Sequence, residues 1–446
     1  MAHKKQLITM ISLLIYRILL LLLLPVVLII LVIRSRNNKG YRQQLPERLG
    51  FISNTFARGG IAVHAASVGE VIALKSVINK LLADYPYLPI TITTFTPTGS
   101  AQVRKMFANK VQHCYLPLDI APCTAMFLQR LQPQLMIFME TELWPNLVAQ
   151  CQQKQIKLLL INGRLSKRSL NSYQKFSTLM TPCLNRFDKI LTQSTENLNH
   201  FIQLGAEEHR CTNSGNLKFD IHIDQTMLVK KAELASLLDH RDSIQQRPIW
   251  LVASTHEGDE LIAIKAFKRL LADHPDLLLV LVPRHPERFA VVASICEDHS
   301  LTLAKRSEKQ PITDQHIWLL DSLGELTATF DLSDIVTMGG SFSHIGGHNP
   351  LEPALFSKPI IVGSNMSNFN EIMQQLRHQQ AIIELTDKQP SEQLSKAVDT
   401  LLNSQQQRQK LGQQALYVVQ QNQGASDITM SQIQKLVTVT TQQIKG

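Results

Sequence analysis

Several motifs that define common enzyme classes are missing from this 446-residue sequence. It has no DxD pair for a metal-bridged diphosphate, no GxSxG nucleophile elbow and no Walker loop. The first predicted strand leads into Ser67-Val-Gly-Glu70 and not into GxGxxG, which argues against a dinucleotide site. Its six cysteines have no CxxC or other ligand spacing, which is typical of reduced thiols in a cytosolic protein. We therefore predict no metal, no cofactor and no disulfide framework.

One long apolar run is present, and it lies near the N-terminus. Leu7–Ile33 carries a single charge, Arg17, and is longer than the ~20 residues that cross a bilayer core. No small-residue cleavage site follows it, so residues 1–33 are predicted to be an uncleaved membrane anchor. Fewer basic residues precede the span than follow it: Lys4 and Lys5 before, and Arg34, Arg36, Lys39, Arg42 and Arg48 after. This imbalance favours a cytoplasmic body behind one N-terminal anchor.

The formal net charge of +9 suits a protein that works against an anionic membrane surface. Nucleic acid would also explain the charge, but the sequence has no basic-aromatic platform and no basic run of eight residues. We therefore predict an anionic membrane partner and no nucleic acid. Repeats of 20–50 residues are absent as well, which excludes a solenoid.

Short apolar segments alternate with helix-length amphipathic segments, which predicts two doubly wound parallel sheets. The predicted strands are Ile61–Ala66, Ile90–Phe95, His113–Leu116, Leu135–Met139, Lys157–Ile161 and Lys189–Thr192, then Ile249–Ala253, Leu277–Val282, Ile317–Leu320, Ile335–Met338 and Pro359–Val362. A polar stretch, Asp220–Arg247, separates the halves, so we predict domains at residues 34–222 and 223–446. Two Rossmann-like domains facing a cleft suit a GT-B type glycosyltransferase, an epimerase or a two-domain dehydrogenase.

A glycine-rich stretch, Asp334–Gly363, is the predicted ligand-binding element of the second half. A strand runs into glycines that let a backbone approach a ligand, and Asn349 with Pro350 is typical of a capped helix start. Free N–H groups at such a start suit a phosphate. The alternative is that the segment merely caps a helix and that its glycine pairs form turns. It supplies six candidate substrate-binding residues: Met338, Gly339, Gly340, Ser341, Asn349 and Glu352.

Acidic residues follow two strands of the first half. Glu70 lies just after the first strand, where a carboxylate can accept a proton from an attacking hydroxyl, or can serve as a first-turn helix acid. Glu140 and Glu142 follow the fourth strand, and carboxylates two apart can address one pocket, or Glu142 can be a first-turn helix acid. Beside them, Trp144 can stack on a sugar or a lipid headgroup, or belong to the core. Arg164 follows the fifth strand and can pair with a carboxylate or phosphate.

Two further strand ends in the second half carry polar residues. The loop 253–260 includes Ser254 as a substrate-binding candidate. Arg284 and His285 follow the next strand, and Arg284 can bind a phosphate or carboxylate or can be a surface residue at the sheet edge. The sequence alone leaves both alternatives for Arg284 open.

Together these motifs resemble the 3-deoxy-D-manno-octulosonic acid (Kdo) transferases of lipopolysaccharide assembly. The resemblance covers nearly the whole chain and rests on the segments Tyr41–Gly50, Ala65–Glu70, Thr93–Ser100, Glu140–Asn146, Gly215–Asp220, Pro283–Phe289 and Asp334–Gly363. One departure is Gly163, where alanine is expected. The family is an inverting, metal-independent transferase of the two-Rossmann-domain type, with CMP-Kdo as donor and a phosphorylated lipid A precursor, lipid IVA, as acceptor. The resemblance thus implies a bacterial inner-membrane enzyme with a cytoplasmic catalytic body.

The resemblance also implies residue roles. It makes Glu70 the general base on the acceptor hydroxyl, and places Arg284 with Met338, Gly339, Gly340, Asn349 and Glu352 around CMP. Lys218 is a candidate partner of the donor carboxylate. Two rival hypotheses remain: a lipid-linked transferase that uses UDP-sugars, which CMP and UDP binding would separate, and a non-catalytic membrane-tethered scaffold that binds neither. Every candidate site residue lies beyond Ser67, so the anchor is expected to act as a tether.

Overall fold

The computed structural model describes residues 2–37, 40, 44–221, 223, 225–238 and 247–437. The chain forms two compact units, Met1–Asp220 with Asn422–Gly446, and Ile221–Gln421. Of the basic residues flanking the apolar run, Lys39, Arg42 and the side chains of Lys4 and Lys5 lie outside the described residues. The same holds for part of the predicted linker, residues 222, 224 and 239–246.

The first unit contains a seven-stranded, all-parallel sheet in the order β3-β2-β1-β4-β5-β6-β7. Its strands are β1 Ile61–His64, β2 Ile90–Thr94, β3 Gln112–Tyr115, β4 Leu135–Met139, β5 Lys157–Gly163, β6 Lys189–Thr192 and β7 Cys211–Asn213. Its helices are α1 Ala2–Asn37, α2 Leu45–Arg48, α3 Val68–Ala73, α4 Lys75–Asp84, α5 Pro97–Phe107, α6 Ala121–Leu131, α7 Pro145–Gln153, α8 Lys167–Gln174, α9 Ser177–Leu184 and α10 Thr195–Gln203.

The second unit repeats this plan with the order β10-β11-β9-β8-β12-β13-β14, again all parallel. Its strands are β8 Ile249–Thr255, β9 Leu278–Pro283, β10 Leu303–Lys305, β11 Ile317–Leu319, β12 Ile335–Met338, β13 Ile360–Val362 and β14 Ile383–Glu384. The remaining helices of the chain are α11 Gln225–Ala235, α12 Asp259–Leu270, α13 Phe289–Asp298, α14 Leu326–Leu332, α15 Leu351–Ala354, α16 Asn370–His378, α17 Pro390–Asn403, α18 Gln405–Asn422 and α19 Ala425–Leu436.

All eleven predicted strands are confirmed, with shifts of one or two residues at their ends. Parallel strands are covered on both faces, so their sequences are nearly continuous apolar runs. In β4 and β12 every residue is buried. The strands we missed, β7, β10 and β14, lie at or near sheet edges and are only two or three residues long. Such short, partly polar edge strands carry little periodic signal.

The C-terminal boundary differs from the prediction that residues 223–446 form one domain. Helix α19 belongs to the first unit, and its Ala425, Met430 and Ile433 join the core of that unit. Asp220 fixes the start of this helix, because its carboxylate accepts hydrogen bonds from the backbone N–H groups of Gly424 (2.7 Å) and Ser426. Capping of this kind depends on residues about 200 positions apart, which a local pattern does not reveal.

Candidate functional site at the sheet switch points

Both sheets change winding direction between two neighbouring strands, β1 and β4 in the first unit and β8 and β12 in the second. Open α/β sheets bind ligands outside the carboxyl ends of the strands at such a point. The structure places eight of the predicted site residues at or just after these four strand ends: Glu70, Glu140 and Glu142 in the first unit, and Ser254, Met338, Gly339, Gly340 and Ser341 in the second. Asn349 and Glu352 lie further along the chain after β12, and the remaining four follow neighbouring strands: Arg164 after β5, Lys218 after β7, and Arg284 and His285 after β9.

Glu70 lies in the first turn of α3 and is 8% exposed. One carboxylate oxygen accepts the backbone N–H of Ala66 at 2.8 Å, and the other accepts the hydroxyl of Ser67 at 2.7 Å. Ser67 in turn accepts the N–H of Glu70, which is a variant of the capping box. Burial raises the pKa of Glu70, and the negative charges of Glu140 and Glu142 raise it further against these hydrogen bonds.

Glu142 is hydrogen-bonded by one side chain and lies near a second. The indole N–H of Trp144 donates to its Oε2 at 2.9 Å, and Nε2 of the buried His64 lies 3.5 Å from the same oxygen. Trp144 also stacks on Phe95 with ring centroids 5.8 Å apart. Its ring is therefore packed against Phe95, as the core alternative predicts in part, and its N–H orients a carboxylate; stacking on a sugar or lipid headgroup stays a prediction. Sequence reasoning missed His64, which ends β1 within an apolar run.

Glu140 and Arg164 lie on adjoining loops after β4 and β5. Glu140 has a left-handed backbone, with φ of 55°, and its N–H donates to the carbonyl of Ile161 at 3.0 Å. The hydroxyl of Thr141 donates to the carbonyl of Arg164, while the Arg164 side chain is exposed. The two loops are therefore tied together through the Thr141 hydroxyl and backbone groups, and Arg164 is an exposed residue.

Lys218 lies in a short 3₁₀ turn, Leu217–Phe219, after β7. The N–H of Leu217 donates to Oδ1 of Asn162 at 2.9 Å, so this turn is tied to the end of β5. Asn162 is fully buried and has φ of 53°. Sequence reasoning missed it, although a polar residue at the end of an apolar strand is the same signal that identified Glu140.

The glycine-rich loop after β12 differs from the prediction of free backbone N–H groups. The N–H of Gly339 donates to the carbonyl of Ala253 at 2.7 Å, and that of Gly347 donates to the carbonyl of Gly340 at 2.8 Å. The N–H of Gly340 donates to the carboxylate of Asp259 at 2.6 Å. These three donors are used within the protein, one inside the loop and two toward β8 and Asp259, so they are not free for a phosphate.

The helix start after this loop is also shorter than predicted. Helix α15 is one turn, Leu351–Ala354, and Pro350 precedes it instead of opening it. Asn349 does accept the N–H of Leu351 through Oδ1 at 3.2 Å, as expected of a capping residue. Since a single turn aligns few peptide dipoles, its attraction for a phosphate is small. Glu352 lies within this turn and is half-buried.

Asp259 organises the second switch point, and sequence reasoning missed it. Its Oδ2 accepts the N–H groups of Gly340 and His256, so it joins the loop after β8 to the loop after β12. Burial raises the pKa of Asp259 to about 6. Ser254 in the same loop has φ of 56°. The signal that was available is the acid pair at the start of helix α12 in the loop 253–260.

Three histidines gather beside these loops. Nε2 of His256 lies 2.8 Å from Nε2 of His348 with the rings stacked, and the ring of His285 lies 5.3 Å from that of His256. Burial and the neighbouring His256, Arg284 and His285 lower the pKa of His348 to about 4. Burial, His285 and Arg284 lower the pKa of His256 as well. In this group (His256, His285, His348 and Arg284), the imidazole cluster, the lowered pKa values keep His256 and His348 neutral near pH 7, so Arg284 supplies the permanent positive charge and the imidazoles can supply N–H donors.

Met338 and Ser341 contribute through the backbone. The side chain of Met338 is buried in the core, 1% exposed, while its carbonyl accepts the hydroxyl of Ser341 at 2.5 Å. Ser341 is fully buried and also accepts the N–H of Gly363 at 2.8 Å. These two residues therefore shape the loop. Within the described part of the chain, no group of three or more His, Cys, Asp or Glu residues has a metal-binding arrangement.

The comparisons with known proteins first define a class. Residues 260–416 match the family described as "Glycosyl transferases group 1". A solved UDP-GlcNAc 2-epimerase from Neisseria meningitidis, bound to UDP-GlcNAc, has a TM-score of 0.53 and 13% identity, with 84% of this chain and 100% of that chain covered. At this identity the likeness concerns the fold alone. The two parallel-sheet units and the family match define a glycosyltransferase of the GT-B type.

The match of the first unit is more specific. Residues 43–221 match the family described as "3-Deoxy-D-manno-octulosonic-acid transferase (kdotransferase)". The 3-deoxy-D-manno-octulosonic acid transferase of Haemophilus influenzae is 41% identical over 388 residues, 86% of this chain and 89% of that protein. The C-terminal CMP-Kdo binding domain of WaaA from Acinetobacter baumannii is 30% identical, with a TM-score of 0.40, covering 44% of this chain and 100% of that one. The chain belongs to the Kdo transferase family and is a Kdo glycosyltransferase.

Proposed function

We propose that this Kdo transferase takes the sugar from CMP-Kdo and adds it to lipid IVA, a phosphorylated lipid A precursor, with inversion and without a metal ion. The proposal is supported above all by the environment of Glu70. This carboxylate is nearly buried at a switch point, and burial together with the charges of Glu140 and Glu142 raises its pKa. A general base works best when its pKa is close to the working pH. The raised pKa therefore suits Glu70 for proton abstraction, whereas an acid that only stabilises a helix end needs no raised pKa.

In the proposed reaction the hydroxyl oxygen of the acceptor attacks the anomeric carbon of Kdo. The bond between that carbon and the phosphate oxygen breaks, CMP leaves with the electron pair, and the hydroxyl proton passes to Glu70. A single displacement from the face opposite CMP inverts the anomeric centre. Glu140 and Glu142 are proposed to bind acceptor hydroxyls, with Glu142 fixed for this by Trp144. Exposed Arg164 is proposed to bind a phosphate of the acceptor.

The donor is proposed to bind at the second switch point. CMP-Kdo has one phosphate, whose charge the imidazole cluster can balance without the divalent ion that a diphosphate uses. Arg284 is its permanent cation, and His285 is half-exposed beside it. The loop of Ser254, Met338, Gly339, Gly340 and Ser341 is proposed to line the CMP pocket, with Asn349 and Glu352 on the ribose. Lys218 is proposed to bind the carboxylate of Kdo.

The acceptor is a membrane lipid, and helix α1 is proposed to anchor the enzyme at the bacterial inner membrane. Its segment Leu7–Arg36 is long and apolar enough to cross a bilayer, and sixteen large apolar side chains between Leu7 and Ile33 are exposed on the protein. The excess of basic residues after the span supports a cytoplasmic body. An anionic membrane surface would attract the basic protein further.

The test is to incubate the purified full-length protein with CMP-Kdo and lipid IVA in detergent and to measure products by mass spectrometry. The proposal predicts a lipid heavier by whole Kdo units, and release of CMP. Calorimetry should show binding of CMP and none of UDP at the same concentration. Transfer from a UDP-sugar in place of CMP-Kdo, or an unmodified lipid IVA in an otherwise active preparation, would overturn the proposed donor and acceptor.

A further inference from the structure

Helix α1 packs against the first unit along one side. Leu20, Leu24 and Val27 pack on a small apolar cluster formed by Leu118, Ile120 and Cys123. Ser12, nearer the N-terminus, donates a hydrogen bond to the hydroxyl of Thr178 in α9 at 3.1 Å. These contacts extend over about 22 Å of helix at 1.5 Å per residue. The expected tether is therefore packed on the protein along residues 12–27, and this stretch does not cross a bilayer while it is docked. Its exposed apolar side is the part available to a membrane.

Two polar residues in the middle of this side make specific hydrogen bonds. The hydroxyl of Tyr16 donates to Oδ2 of Asp119 at 2.9 Å, and Nε of Arg17 donates to Oδ1 of Asn146 at 2.8 Å. Asp119 is 4% exposed and Asn146 is fully buried. The charge of Arg17 in an apolar span is thereby explained, since a buried polar group is stable only when it is bonded.

The partners of Tyr16 and Arg17 build the start of helix α7. Asp119 accepts the backbone N–H of Asn146 at 2.9 Å and that of Leu147 at 2.8 Å, so it caps the helix from outside. The residue before the helix, Trp144, makes no side-chain cap of its own. Asn146 adds a bond from Nδ2 to the carbonyl of Asp119 at 2.5 Å. Asp119 and Asn146 thus fix the first turn of α7. The two residues from α1 hold them in turn, Tyr16 through Asp119 and Arg17 through Asn146.

This first turn directly follows the loop that carries the acidic residues. Trp144 lies one residue before α7 and donates to Glu142, which also lies 3.5 Å from His64. A displacement at the start of α7 therefore moves the indole and the carboxylate that it orients. Misplacing a positioned group by about 1 Å can slow a reaction by up to ~10²-fold.

We propose that Tyr16 and Arg17 of the membrane-anchor helix are positioning residues for the acceptor side of the site, acting through Asp119, Asn146 and the Trp144–Glu142 pair. The expected effect on kcat rests on the proposed function. The expected displacement of Trp144 does not depend on the substrate. Transfer then depends on whether the anchor helix is docked, and the anchor is part of the catalytic unit.

The experiment uses the full-length protein in detergent and two readouts. The first is the kcat of Kdo transfer with the KM for CMP-Kdo. The second is acrylamide quenching of tryptophan fluorescence, which reports on Trp144. The other two tryptophans, Trp250 and Trp318, are 0% and 1% exposed, so the quencher reaches them poorly. Quenching is measurable whether or not the preparation transfers Kdo.

The test variants are Tyr16→Phe, Arg17→Gln and their combination, and Arg17→Lys is the conservative rescue because it keeps a charged donor. Two matched controls lie in the same helix. Ser12→Ala removes a docking bond that does not reach α7, and Leu22→Ala changes a side chain that is 70% exposed. Circular dichroism confirms that each variant is folded. If an Arg17 variant does not accumulate, Tyr16→Phe alone decides, since it removes only one hydroxyl.

We expect the double variant to lose kcat by roughly 10- to 100-fold, with an unchanged KM for CMP-Kdo and increased quenching of Trp144. Arg17→Lys should recover part of both, and the two controls should match the wild type. Wild-type kcat and quenching in the double variant would overturn the proposal. Equal losses in Ser12→Ala would overturn it too, because general docking would then explain the effect. If the wild type transfers no Kdo but the double variant still shows increased quenching of Trp144, only the proposed function is refuted.

Discussion

Replacing Gly339 by alanine is the perturbation whose magnitude the structure defines best. An added Cβ would lie 2.6 Å from the carbonyl oxygen of Ser254, 2.8 Å from Cα of Thr255 and 2.9 Å from the carbonyl oxygen of Ala253. All three are backbone atoms at the end of β8, so no side chain can rotate away. The ends of β8 and β12 must separate instead.

Ordinary contact begins at 3.4 Å, so the shortest of these contacts requires a movement of about 0.8 Å. Forcing extra atoms into a packed region typically lowers the free energy of unfolding by ~1–3 kcal/mol. The same movement separates Asp259 from the N–H of Gly340, which joins the two loops of the proposed CMP pocket. Because this bond holds the two loops of the proposed pocket together, we expect CMP affinity to fall by roughly 10- to 100-fold, with the ~1.5–3 kcal/mol of one charge-assisted bond as the upper limit.

The assay is calorimetric titration with CMP beside urea denaturation of the same preparation. Gly69→Ala is the matched control, because among the described residues outside its own helix backbone the added Cβ meets nothing nearer than the Ser67 hydroxyl at 4.0 Å. Gly69 lies in helix α3, where alanine is favoured over glycine, so the free energy of unfolding should stay the same or rise. Because this helix belongs to the first unit and the proposed CMP pocket to the second, CMP affinity should stay the same. Wild-type CMP affinity and stability in Gly339→Ala would refute the packing of β8 against β12 as the reason for glycine here.

Three further predictions concern charge. Glu142→Gln removes a negative charge that raises the pKa of Glu70, so the acidic limb of the kcat/KM profile should move to lower pH; an unmoved limb contradicts the coupling. Arg288→Met leaves the fully buried Glu260 without the guanidinium 3.1 Å away, and urea denaturation should show a loss of about 3–5 kcal/mol, partly recovered by adding Glu260→Gln. Kdo transfer should persist in excess EDTA, and loss of transfer that Mg²⁺ restores would contradict the metal-free proposal.

The fold was predictable because its signal is local. A strand buried on both faces, such as Leu135–Met139, is recognisable as an apolar run that ends in polar residues. The return of Ala425–Leu436 to the first unit was not predictable, because the carboxylate that caps it, Asp220, lies about 200 residues earlier. Short edge strands such as Ile383–Glu384 carry no pattern of their own.

The candidate site divides in the same way. Glu70, Glu140 and Glu142 were identifiable as acids that follow apolar strands, and the strand order brings them to one switch point. Asp259 was hidden because its role is to accept two backbone N–H groups, one of them 81 residues away. Arg17 looked like an anomaly in an apolar span, since its partner Asn146 is 129 residues distant. Residues that hold a site by long-range bonds leave no spacing signal.

The account depends most on the role of Glu70, and the direct measurement is the transfer rate of Glu70→Gln beside Glu196→Gln. Glutamine keeps the shape and an oxygen for the N–H of Ala66, so the fold should survive. Glu196 is an exposed first-turn acid of another helix in the same unit and controls for the loss of a helix-end charge. The account predicts a rate lower by ~10²–10⁴ in Glu70→Gln, with unchanged CMP affinity, and a wild-type rate in Glu196→Gln. A Glu70→Gln rate within a few-fold of wild type would contradict it.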